Sequence, residues 1–93
     1  MEDHNGRHSA TFNGRQLTVD KPAVYSIRVV GLLDKTWSDR LGGLQIDTGG
    51  REEKTAITTL TGPLIDQAAL FGVLKALYDL RLPLLSVECL ESY

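Results

Sequence analysis

The chain holds a single cysteine, Cys89, which excludes an intramolecular disulfide and any zinc site built on a cysteine pair. No apolar run approaches the roughly 18 residues of a membrane span, and the opening "MEDHNGRHSA" lacks the apolar core of a secretion signal. These absences fit a soluble protein of a reducing compartment, and a cytoplasmic location is expected. An excess of one charge is missing too. Ten Lys and Arg stand against twelve Asp and Glu, a formal net charge of −2 with no like-charged block, so bulk charge recruits neither nucleic acid nor an anionic membrane. At 93 residues the chain makes one domain that buries only about 60–65% of its unfolded surface, so most of the apolar content is needed for a core.

What is present falls into two parts. Residues 1–22 carry both histidines, several turn-forming residues and few large apolar side chains, which marks them as an extension. Two readings stay open for it, a disordered tail and a short hairpin turning at Asn13-Gly14. Residues 23–93 read as a single α+β domain. "AVYSIRVV" alternates Tyr25, Ile27 and Val29 against Ser26, Arg28 and Val30, the period of a strand with one buried face. In "DKTWSDRLGG", Asp34 is placed to cap a short helix, Trp37 and Leu41 share its face, and Gly42-Gly43 ends it. "LQID" and "KTAITTLT" read as a hairpin turning in "TGGREE". A bulge is expected there, because Ile57 and Leu60 are out of phase.

"GPLIDQAAL" opens the longer helix. Asp66 sits at the N-cap, with Ile65 and Leu70 at the two positions of a hydrophobic staple, and Leu70, Val73, Leu74, Leu77 and Leu80 form the apolar stripe. Pro83 stops the helix. "LLSVECLE" closes the chain as a strand with Leu85, Val87 and Cys89 inward. The order of elements predicts a ferredoxin-like βαββαβ fold with a short first helix and an antiparallel four-stranded sheet. A meander with one helix is the alternative if "DKTWSDRLGG" is a loop.

The segments "IRVVGLLDKTWSDRLGGLQI" and "LTGPLIDQAALFGVLKALYDLRLPLLSV" also resemble a family of short bacterial proteins of unknown function. The marks are Trp37 after the first strand, Gly42 and Gly43 in the turn, and Asp66, Gln67, Leu70 and Gly72 in the helix. The resemblance covers roughly residues 25–90 and implies no activity, cofactor or catalytic residue. Its pattern has Gly where this chain has Arg81, which implies either left-handed strain at Arg81 or a different turn.

Each chemical candidate has a plainer explanation. Asp66-Gln67 has no titrating partner in the pattern, so it reads as cap and first helical residue. His4 and His8 have metal-binding spacing for a helix, but Asn5 and Gly6 lie between them in a segment with no helical pattern, and no metal or other cofactor is expected. Cys89 falls on an inward phase, where a thiol acts as a small apolar group. The glycine pairs lack the Lys-Ser/Thr setting of a phosphate loop. Other ferredoxin-like proteins stack RNA bases on aromatic residues of the central strands or hold metal through Cys-x-x-Cys, and this chain has neither. Whether it is an enzyme stays open, with a non-catalytic role favoured.

Two surfaces remain. The sheet face away from the helices is expected to present Arg28, Val30, Leu32, Ile57 and Glu88, a set apolar enough to favour a homodimer or another protein partner. Trp37 with Asp34 and Arg40 is the candidate small-molecule site, near the Gly42-Gly43 turn. Phe71, Lys75 and Tyr78 flank the long helix and are either partly exposed or packed beneath the N-terminal extension. The expected function is a small interaction or regulatory module, with a small-ligand sensor or carrier as the alternative.

Overall fold

The computed structural model describes residues 10–12, 14–52 and 55–92. Its elements are β1 (Ala10–Phe12), β2 (Arg15–Leu17), β3 (Ala23–Val30), a 3-10 helix (Lys35–Leu41), β4 (Gln45–Glu52), β5 (Thr55–Leu64), α1 (Gln67–Asp79) and β6 (Leu84–Ser92). β1 and β2 pair as a separate hairpin, in which Gly14 takes a φ of 75°. The other strands form one sheet in the order β4-β5-β3-β6, every neighbour antiparallel. β3 and β4 therefore run parallel with β5 between them, and β5 and β6 run parallel with β3 between them. Both crossovers skip one strand.

The fold is thus α+β, a four-stranded antiparallel sheet with two helices, which is the coarser part of the expected plan. The first helix is not an α-helix. Asp34 closes its start by accepting from the Thr36 N–H at 3.0 Å, and Gly42 ends it in left-handed geometry at a φ of 73°. The seven residues between these caps run in the tighter 3-10 geometry.

β3 sits at the centre because its alternation matches a sheet buried on one side. Tyr25, Ile27 and Val29 join Leu44, Ile46, Leu60 and Leu64 from the sheet and Leu70, Val73 and Leu77 from α1 in one buried cluster. Each aliphatic side chain of the cluster contributes about 1.5–3 kcal/mol of burial. Thr58 is also fully buried, and its hydroxyl donates to the Gly31 carbonyl at 2.6 Å, so the polar group costs little. Pro63 is accommodated in β5 because β4 begins at Gln45, opposite Thr61, so Pro63 has a strand neighbour only in β3, at Val24.

Two local expectations are corrected, and the bulge expected in the hairpin is present. The strand that begins near Leu44 runs through Gly49-Gly50 to Glu52, so most of "TGGREE" belongs to β4 and not to a turn. The register shift lies in β4, between Asp47 and Gly50, and β5 runs unbroken with Ile57 and Leu60 on opposite faces. Ile65 is 71% exposed while Leu70 is buried, so burial adds nothing to a staple at this helix start, which relies on Asp66 accepting from the Ala69 N–H at 2.8 Å.

Gly42 and Gly43 share a φ of 73° but differ in their surroundings. A Cβ at Gly42 would lie 2.8 Å from Leu64 Cδ2 and 3.3 Å from Val73 Cγ2, whereas one at Gly43 would meet nothing within 4 Å. Gly43→Ala should therefore cost about 1 kcal/mol from backbone strain alone, and Gly42→Ala about 2–4 kcal/mol from strain plus overpacking. Urea denaturation of the two variants measures the difference, and equal costs would show that the Gly42 contact is not tight.

Candidate functional site: an apolar groove beside the edge strand

α1 ends in a turn that the residue types do not favour. Arg81 adopts a φ of 64°, the one non-glycine residue with positive φ among those described. Its N–H donates to the Tyr78 carbonyl at 2.9 Å, and the Leu82 N–H reaches back to the Leu77 carbonyl at 3.2 Å. This pair of bonds is the Schellman pattern, which usually places glycine at the left-handed position. The left-handed alternative read from the sequence is the one adopted. The guanidinium of Arg81 stands 5.4 Å from the centre of the Tyr78 ring, a cation–π contact that offsets part of the strain.

The turn carries the chain into β6 and shapes one wall of a groove of about 220 Å³, lined by Leu74, Leu77, Tyr78, Leu82, Pro83 and Leu84. Every lining side chain is apolar or aromatic. Beyond it the apolar surface continues along the edge strand. Leu84 is 53% and Val87 38% exposed, and Leu85 is exposed as well. Cys89, expected to be buried, is half-buried and packs against the core cluster. On the outer flank of α1, Phe71 is 64% and Tyr78 68% exposed, with Lys75 ion-paired to Asp79 at 3.1 Å.

The residues singled out from the sequence fall elsewhere. Trp37 is half-buried against the core, and Arg40 lies 5.3 Å over its ring. The Asp34 carboxylate is engaged in capping the 3-10 helix. These three share one helix, but the groove does not include them. On the sheet face away from the helices, Arg28 and Glu88 are exposed and Val30 is half-buried. Ile57, opposite Val30, is only 7% exposed, so it is not the bare apolar residue expected there. Leu32 is exposed but lies beyond the end of β3. Arg28 pairs with Ser86 and Glu88 with Ser26, so the two charges are diagonal neighbours across β3 and β6. His4 and His8 lie outside the described residues.

Sequence reasoning missed the groove. Its signal was present in Tyr78 off the apolar stripe and in "LPLL" after Arg81, but only the position of α1 over the sheet joins them. Among the described residues no group of His, Cys, Asp and Glu is arranged to hold a metal ion, and no helix is long and apolar enough to cross a membrane.

Residues 24–88 match the model of a domain of unknown function, DUF8691. No curated protein and no solved structure matches the chain.

The turn itself makes a prediction. Replacing Arg81 with glycine removes roughly 1–2 kcal/mol of left-handed strain and loses a cation–π contact of about 0.5–1 kcal/mol. Arg81→Gly should raise the unfolding free energy by up to about 1 kcal/mol, read by chemical denaturation. A loss of stability would mean that the guanidinium holds the turn more strongly than its contact with Tyr78 indicates.

Proposed function

We propose a role for a chain that belongs to the DUF8691 family: it is a non-catalytic interaction module that self-associates, built on a ferredoxin-like plan with a shortened first helix. The family description assigns no activity. The observation that carries the reading is the continuous apolar surface formed by the groove and the first half of β6, where Leu84, Leu85 and Val87 stand exposed on an edge strand. Edge strands of this kind are normally shortened, charged or covered, because their free backbone groups and apolar side chains invite pairing. Between Leu84 and Val87 this strand carries no charged residue.

This surface is a better docking site than the outer sheet face. With Ile57 buried and Val30 half-buried, the latter leaves Arg28 and Glu88 as its exposed members, and exposed charges add little to association. The strand pattern supports the ferredoxin-like reading, since each helical connection spans one intervening strand. At Trp37 the ring and the neighbouring guanidinium already satisfy each other, which favours a structural role over a ligand site.

Light scattering of the full chain across a wide dilution series tests the proposal. A mass above that of one chain is expected, and it should fall with Leu84→Lys or Val87→Lys and hold with Val30→Glu. A single-chain mass at every concentration would overturn self-association. Loss of the assembly in Val30→Glu alone would return the site to the outer sheet face.

A further inference from the structure

We infer that the occupant of the groove is α1 of a second copy, packed antiparallel against α1 across a two-fold axis, so that Phe71 of each copy enters the groove of the other. The inference rests on the interaction reading and specifies its geometry. Projection and recess lie on the same helix. Phe71 is 64% exposed, and Tyr78 in the groove wall follows seven residues later, about 10 Å along the axis at 1.5 Å per residue. A two-fold axis passing near Leu74 and Lys75 brings each Phe71 over the Tyr78 of the other copy. Both contacts then form at once, as a closed two-fold interface requires.

Size and charge agree with this occupant. The groove of about 220 Å³ is smaller than the roughly 300–1,000 Å³ usual for a small-molecule site, and its lining offers no charged group to orient a metabolite. It suits one aromatic side chain. The same axis sets the C-terminal end of one α1 beside the N-terminal end of the other, so opposite helix ends approach each other. Lys75, close to the axis, is already held by Asp79 of its own helix, which limits repulsion between the two lysines.

Gly72 is consistent with a close approach. It lies exposed next to Phe71, and a Cβ there would meet nothing within 4 Å. Glycine is unfavourable inside a helix relative to alanine, and no contact among the described residues demands it.

The test uses the full chain and two kinds of variant. Phe71→Ala should raise the dimer dissociation constant about tenfold or more, measured by sedimentation, with the far-UV circular dichroism spectrum of the folded chain unchanged. In a Cys89→Ser background, Phe71→Cys combined with Tyr78→Cys should give a covalent dimer under mild oxidation, because the two positions face each other only between copies. A dimer that is indifferent to Phe71→Ala and does not cross-link, yet dissociates with Val87→Lys, would overturn the helix pairing and leave the interaction module standing. A monomer at every concentration would overturn both.

Discussion

At Gly42 the end of the 3-10 helix, the end of β5 and the middle of α1 come within van der Waals contact, and the packing around the first crossover depends on that closeness. A Cβ at this position would overlap Leu64 and crowd Val73. Because the backbone can pass here, in left-handed geometry, the first crossover closes in a few residues and delivers Leu41 and Leu44 into the core. α1 can then settle over the middle of the sheet through Leu70, Val73 and Leu77. This contact fixes how closely α1 and the end of β5 pack against the first crossover.

The short first crossover also determines what is left uncovered. The 3-10 helix packs near β4, and α1 packs against the core presented by β3 and β5. Among the described residues β6 pairs with β3 alone, β2 of the N-terminal hairpin approaches it, and α1 covers its helix-side residues incompletely. Leu84 and Val87 therefore stay in contact with water, although the strand alternates in a way that ordinarily buries one face. In a chain of this size such exposure is a sizeable cost, and a partner surface is the usual way to remove it.

The turn after α1 adds to the same region. Arg81 keeps a left-handed backbone without being glycine, and its guanidinium is held over Tyr78 at the side of the groove. Backbone strain of this kind persists where the surrounding structure fixes it, and here two backbone hydrogen bonds and the packing of Leu82 do so. By comparison, Asp34, Trp37 and Arg40 are occupied with one another and with their own helix. A concentration of polar and aromatic residues in sequence is a weak guide to a site when capping and stacking account for each of them.

Local chemistry was enough to read much of the fold. The alternation of Tyr25, Ile27 and Val29, the caps at Asp34 and Asp66, the stop at Gly42 and the spacing of Leu70, Val73 and Leu77 all act over a few residues, so they can be recognised without neighbours from elsewhere in the chain. The path of β4 through Gly49-Gly50 could not be read in this way, since glycines in isolation signal a turn and only pairing with β5 makes them part of a strand. The burial of Ile57 and the exposure of Ile65, Leu84 and Val87 were equally hidden. A residue's phase within its strand assigns it a face, but whether that face meets protein or water depends on where another element lands, and that was decided by the packing of α1 and the short 3-10 helix on the sheet.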